Sequence, residues 1–420
     1  MQPEKHNHIN IINQPRSEIM ADYAGQQGSN HSREINVIPN LELIDLGLGH
    51  SPWGAPKKIV ETLINRHSSE ILNRIEQYPS DRWSAKLAQL TRQRFNLSEE
   101  THVSFQPGGS YRILANILTN LIDWTPKKEA GIITPGLCFP NIALLVHQLV
   151  PQNKKQEFPF KALDLPINTS YDQRIISLAQ HRQQDPLSKV VYLDLPNNPT
   201  GATLEQDSLT AIAEATLNKN NPDLLIIDEA YGDTININAI SLAQQYPHII
   251  ITRSVSKTIG LAGMRIGYAI VSPGQLSELY KKSMDLVFDV GGLDQLILQQ
   301  TLQPEILNPH LKQVKNKIFQ VKTHLIDQLH SLGLNILPTD MNVPILLAQA
   351  PHIPNFASFL ARYGIIIESG SDFKDVCSEI NDSYVRIRTP KDIQTVNIAM
   401  QRIQNAIQEA QENPEACWLT

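Results

Sequence analysis

Between residues 102 and 272, short apolar runs (HVSFQ, AGIIT, KVVYLDLP, DLLIIDEA, HIIITRS and RIGYAIVS) alternate with longer stretches of helical spacing such as SLTAIAEATLN. This alternation constrains the fold more than any other feature of the chain. A strand with one wet face alternates apolar and polar residues, whereas a strand covered on both faces stays apolar throughout; such strands are typical of parallel sheets sandwiched between helices. The spacing therefore predicts an α/β fold, its large domain built on a mostly parallel sheet with helices on both faces. Upstream, LELIDLGLGHSPWG reads as a short strand entering a Gly- and Pro-rich loop. APKKIVETLINRH and RWSAKLAQLTRQRF follow as helix, turn, helix, the second capped by a Tyr-Pro-Ser-Asp turn. Downstream, a helical stretch from 275 to 331 leads into ILPTDMNVPILLAQA, FASFLARYGIII, SYVRIRTP and a final helix, the pattern of a smaller α+β domain.

At 420 residues the chain is long enough for two domains. We divide it into a polar N-terminal arm (1–40), an N-terminal part of the small domain with a linker (41–85), a large domain (86–310) and a C-terminal small domain (311–420). The net charge of -6 is spread along the chain, without the basic stripe that nucleic acid requires. Runs such as IALLVHQLV fall well short of the roughly 20 apolar residues needed to span a bilayer. No nucleic-acid partner and no membrane span are expected. The opening MQPEKHNHINIINQPRSE has no apolar secretory core, so a cytoplasmic location is the default. The three cysteines, Cys138, Cys377 and Cys417, lack metal-type spacing and are expected to be unpaired thiols, with no metal site.

The chemistry concentrates in a few segments. In SVSKTIGLAGMRIG, Lys257 stands among Ser254, Ser256, Gly260 and Gly263, and Arg265 follows it. A lysine that attacks a carbonyl must first lose a proton, and small neighbours let the backbone approach a bulky ligand. An isolated lysine would usually be a solvated surface group; this setting argues otherwise. Asp228 closes the apolar run LLIIDEAYGD, and Tyr231 lies three residues on. The carboxyl ends of strands in an open α/β sheet face the ligand crevice, although an aspartate there can equally be a cap or turn former. In PGGSYRILANIL, Gly108 and Gly109 precede Ser110 and Tyr111 at the start of an amphipathic helix, whose free N–H groups suit an anion. Asn198 precedes a Pro-Thr-Gly turn in LDLPNNPTG, a place that turn chemistry alone could explain.

In this order the segments resemble the pyridoxal-phosphate enzymes of the aspartate-aminotransferase fold, the class I/II aminotransferases, over about residues 41 to 410. SPWGAP, the Tyr-Pro turn and LPTDMNVPILL bring the chain nearest to the histidinol-phosphate aminotransferase and threonine-phosphate decarboxylase branch. The resemblance implies a homodimer that uses pyridoxal 5'-phosphate and a small amino-acid substrate. Transamination would pass through a Lys257 aldimine and a quinonoid intermediate, with Lys257, Asp228 and Tyr231 as the catalytic groups. Asp228 would pair with the ring nitrogen, and Asn198 and Tyr231 would bond the ring's 3-hydroxyl oxygen. Gly109, Ser110, Tyr111, Ser254 and Arg265 would hold the phosphate, joined by Tyr78 from EQYPSDRW of the other subunit. An aromatic in PGLCFPNI would cover the ring; Phe139 is our choice, although Leu137 occupies the usual place. Arg386 of SYVRIRTP would bind the substrate carboxylate, with Gly49 and Asn198 lining the substrate cavity. Arg388, two residues on, could be a second ligand or a surface charge.

Relatives that take a phosphorylated substrate carry an arginine just after the strand matching GIII; this chain has Glu368 there. A carboxylate would repel phosphate, so Glu368 either selects a cationic substrate such as a modified arginine or faces solvent. The alternative is therefore elimination and cyclisation, as in capreomycidine-synthase-like enzymes, or oxidation, on an arginine-type amino acid. A phosphoamino-acid decarboxylase and a non-catalytic pyridoxal-phosphate-binding protein are weaker alternatives.

Overall fold

A computed structural model describes residues 41–417, apart from residues 48 and 67 and the segments 125–130, 150–158, 185–189, 218–222, 237–238 and 285–288. The arm expected over residues 1–40 lies outside the described residues. The chain starts with β1 (Ile44–Asp45). The large sheet takes β2 (His102–Pro107), β3 (Ile132–Thr134), β4 (Phe160–Ala162), β5 (Val190–Asp194), β6 (Leu224–Glu229), β7 (Ile249–Ser254) and β8 (Ile266–Val271). These seven strands run in the order β2-β8-β7-β6-β5-β3-β4. Only β8 is antiparallel to its neighbours, so the sheet is mostly parallel as expected.

The physical reason is visible in the central strands. Val191 and Leu193 of β5, Leu225 and Ile227 of β6, and Ile249 and Ile251 of β7 enter one core. The alternate residues Val190, Tyr192, Leu224, Ile226 and Ile250 enter another. Side chains alternate across a strand, so a continuous apolar run places apolar groups on both faces. The edge strand β4, with Lys161 at its centre, is too short and polar to stand out in the sequence.

The second sheet contains β9 (Asn335–Ile336), β10 (Ile345–Gln349), β12 (Glu368–Ser369) and β13 (Tyr384–Arg388), in the antiparallel order β12-β13-β10-β9, and β11 (Ile365–Ile366) pairs with β1. A separate core of Leu325, Leu329, Phe356, Phe359, Val396 and Ile403 lies between this sheet and its helices. The stretch from 275 to 331 divides into helices Gln275–Met284, Gly292–Thr301 and Pro304–Ser331. Pro304 opens the last of these, at a position where its missing N–H costs nothing. Leu307 of that helix joins the large-sheet core and Val321 the second, so a single helix bridges both. The segment expected as helix, turn, helix contains an additional helix, Ser68–Glu76, whose Leu72 and Ile75 are exposed. No helix among the described residues is long and apolar enough to cross a membrane.

Candidate active site

Parallel strands end at the same edge, and three carboxyl ends meet there. Asp194 of β5 lies opposite Asp228 of β6, which lies opposite Thr252 of β7. Asp228 is buried; its Oδ1 accepts from Thr252 Oγ1 at 3.0 Å and from the Ala230 N–H at 3.1 Å, and its Oδ2 accepts from the Tyr192 hydroxyl at 3.3 Å. Burial raises its pKa to about 6, with those hydrogen bonds opposing the shift. A carboxyl withdrawn from water and bonded only to neutral donors can still gain from a cationic partner.

Asp194 escaped the sequence reading. Its Oδ2 accepts from the N–H groups of Asn198 and Phe139, both at 2.9 Å, while Asn197 Nδ2 donates to Oδ1 at 3.0 Å and the Tyr171 hydroxyl does so at 3.2 Å. One acid thus ties together the turns that carry Asn198 and Phe139. Burial is the main cause of its rise to about pKa 7. The signal was an aspartate ending an apolar run, as at Asp228. Leu137, whose place an aromatic usually takes, lies in the core, whereas Phe139 is half-buried.

Gly49, Tyr231 and Lys257 converge from three separate loops. A Cβ on Gly49 would lie 2.5 Å from Tyr231 Oη and 2.7 Å from Lys257 Nζ and would push both side chains away. Lys257 Nζ is 5.3 Å from the centre of the Tyr231 ring, and the Tyr231 hydroxyl donates to the Gly49 carbonyl at 3.5 Å.

Eight residues after Lys257, Arg265 meets the start of the helix that follows β2. The Arg265 carbonyl accepts from the N–H groups of Gly108 at 2.6 Å and Gly109 at 2.9 Å. A Cβ on Gly267 would fall 2.5 Å from the Ser110 nitrogen, so β8 and the start of the 16-residue helix Gly109–Trp124 touch backbone to backbone. Ser110 and Tyr111 occupy that first turn, where free N–H groups favour an anion. Arg265 has a left-handed φ of 53°, is exposed, and has one guanidinium nitrogen 3.5 Å from the site of a Gly109 Cβ. Ser254 Oγ accepts from the Ser256 N–H at 3.1 Å. The buried hydroxyls of Ser256 and Thr258 have no partner among the described residues. The first-turn N–H groups of Ser110 and Tyr111 with the Arg265 guanidinium fit the phosphate ester of pyridoxal 5'-phosphate. Ser256 had been read only as a small neighbour, and its free hydroxyl is visible only in three dimensions. Tyr78 is 96% exposed.

Arg386 and Arg388 differ sharply. Arg386 donates to Asn198 Oδ1 at 2.9 Å and to the Gly47 carbonyl at 2.8 Å. It also forms an ion pair with Glu368, directly opposite it on β12. Glu368 is therefore buried against an arginine and does not face solvent. Arg388 is not a surface charge; it lines a pocket shared with Gly49, Tyr231 and Lys257. It is buried, and its guanidinium donates to the Asp45 carbonyl at 2.5 Å and to the carbonyl and Nε2 of His50, both at 3.3 Å. Desolvation, then Arg388, holds the His50 imidazole below its ordinary pKa, which suits an acceptor. Arg388 thus anchors the loop that presents Gly49.

The family profile described as "Aminotransferase class I and II" matches residues 42–403. The histidinol-phosphate aminotransferase of Methanosphaera stadtmanae is 24% identical over 385 residues, covering 88% of this chain and 92% of that protein. Among solved structures, a double mutant of Thermus thermophilus aspartate aminotransferase superposes with a TM-score of 0.69 at 18% identity, covering 97% of each chain. The histidinol-phosphate aminotransferase of Sinorhizobium meliloti, in complex with pyridoxal-5'-phosphate, gives 0.66 at 18% identity, covering 97% of this chain and 99% of that one.

Proposed function

The chain belongs to the class I and II aminotransferases, enzymes dependent on pyridoxal 5'-phosphate, and from that premise we propose that it moves the amino group of an α-amino acid to a 2-oxo acid with Lys257 as the central catalytic group. The observation that carries this reading is the convergence of Gly49, Tyr231 and Lys257 at the carboxyl edge of the sheet, beside Asp228, together with the helix start at Gly109 and Ser110 that Arg265 meets.

The bound cofactor supplies an aldehyde for amines and a ring that takes up the electrons freed at the α-carbon. Lys257 would hold it covalently and would move the proton at the substrate's α-carbon. Asp228 holds a proton at the ring nitrogen; a cation there would draw its raised pKa back down. Asn198 Oδ1 already accepts from Arg386, which leaves Nδ2 to donate, with the Tyr231 hydroxyl, to the 3-hydroxyl oxygen. Gly109, Ser110, Tyr111, Ser254 and Arg265 hold the phosphate, and Phe139 covers the ring. Arg386 receives the substrate carboxylate in a cavity lined by Gly49 and Asn198. We further read the protein as a cytoplasmic homodimer in which Tyr78 completes the partner's phosphate site. Residues 86–310 would form the cofactor domain, with 41–85 and 311–420 supplying the small domain.

The test is the purified protein loaded with cofactor, incubated with amino acids and a 2-oxo acid, with products identified by mass. Turnover to a new 2-oxo acid is expected in the wild type, together with a pH-sensitive cofactor absorbance. Lys257→Ala should lose both. A variant that kept both would refute the assignment of Lys257.

A further inference from the structure

Glu368 raises a problem of charge that transamination alone does not settle. It lies opposite Arg386 in the β12–β13 register, both side chains are less than a tenth exposed, and the two form an ion pair. Arg386 is also tied to Asn198 and Gly47. In the aminotransferase reading, on which this inference rests, Arg386 must accept a substrate carboxylate. The position is therefore already taken by an acid of the protein itself.

Three kinds of substrate meet this arrangement differently. An amino acid with a neutral side chain would take Arg386 and leave Glu368 without its ion-pair partner, so that the buried carboxyl, whose pKa burial already raises, must stay charged at a cost or take up a proton. A phosphate-bearing amine would add a dianion beside a carboxylate, which is worse. An amino acid with a cationic side chain brings one charge of each sign: its carboxylate pairs with Arg386 and its cation with Glu368. One ion pair of the protein becomes two with the substrate, and no buried charge is left alone.

We propose that Glu368 is a specificity residue that guards Arg386 in the free enzyme and exchanges it, on binding, for the guanidinium or alkylammonium end of a cationic α-amino acid. Glu368 is anchored on the strand next to Arg386, so it reaches its new partner by side-chain rotation, and the substrate's cation must sit several bonds from the α-carbon. The displaced pair also explains how such a substrate is separated from its neutral isostere, because only the charged one restores Glu368 to a partner.

The experiment uses the cofactor-loaded enzyme and two matched pairs, arginine against citrulline and lysine against norleucine, with histidinol phosphate as the phosphate-bearing amine. Binding is read from the bound cofactor's absorbance, and kcat/KM from the amino acid formed on a common 2-oxo acid acceptor. In the wild type, one cationic member should exceed its neutral isostere by roughly a hundredfold or more, the usual scale for breaking a buried charge pair. Glu368→Gln should bring that ratio to within a few-fold of unity, and Glu368→Asp should retain most of it. Wild-type ratios near one for both pairs, a preference for histidinol phosphate, or an unchanged ratio in a folded Glu368→Gln would overturn the proposal. The wild-type comparison stands even if that variant fails to fold. If no amine perturbs the cofactor or aminates the 2-oxo acid acceptor, the aminotransferase reading itself falls, and this inference with it.

Discussion

The carboxylates at the strand ends divide the work at the residue scale. Asp228 keeps one direction open for a cation, whereas Asp194 spends its oxygens on four protein donors and so builds the site without facing its chemistry. Their substitution should separate function from structure. Asp228→Ala is expected to slow α-proton transfer by roughly a hundredfold or more, the usual range for a group that manages a proton, while the cooperative melt survives; single-turnover absorbance kinetics measure this. Asp194→Ala leaves the N–H groups of Asn198 and Phe139 without their acceptor, while Tyr171 and Asn197 keep the carbonyls of residue 194 and Leu137, and should cost about 2 kcal/mol or more in urea unfolding. It should also weaken cofactor retention, because the Asn198 and Phe139 turns lose their common anchor.

At the scale of elements, the helix Pro304–Ser331 holds a loop beside the site through a buried lysine whose pKa desolvation lowers to about 7. Lys322 is fully buried, and its Nζ donates to Thr339 Oγ1 at 2.6 Å and to the carbonyls of Asp340, Val343 and Ile345 at 2.7, 2.8 and 2.8 Å. The loop it gathers bonds to the Gly201 carbonyl through the Asp340 N–H at 3.0 Å, and so steadies the turn after Asn198. Lys322→Met should cost about 3 kcal/mol or more, since buried carbonyls lose their donors, and it should raise KM more than it lowers kcat. A second joint is sensitive to acid. His248, 3% exposed at the start of β7, shares a 2.9 Å hydrogen bond with Thr216 at the end of helix Gln206–Thr216. Burial lowers its pKa from 6.5 to about 4. Below pH 6.5 the unfolded chain takes up a proton that the folded one refuses, so stability is complete above 6.5 and falls toward pH 4. Unfolding midpoints across that window should drop for the wild type, and the slope should be shallower in His248→Gln.

For the whole molecule, the exposure of Tyr78 (96%), Ile75 (60%) and Leu72 (58%) along one short segment leaves an apolar face open to water. If Tyr78 serves the phosphate of a second copy, sedimentation should show a dimer. Tyr78→Phe should then leave the dimer intact while the cofactor dissociates faster, as followed by dialysis and absorbance. A monomer at micromolar concentration would contradict this arrangement.

The sequence by itself determined what depends on near neighbours. The central strands were readable because burial on both faces demands unbroken apolar runs, and the cluster from Ser254 to Arg265 because its chemistry lies within one short segment. The tertiary structure decided what depends on register and on distant partners. Arg386 and Arg388 share one strand face in the sequence, but β12–β13 pairing sets the first against Glu368, while the hydrogen bond from the Arg388 N–H to the Leu46 carbonyl at 2.7 Å brings Asp45 and His50 to the second. The parts played by Asp194 and Lys322 are hidden in the sequence for the same reason. The local sequence marks a polar residue, but only the packing of remote segments settles whether that residue is satisfied, left free or committed to a turn far away in the chain.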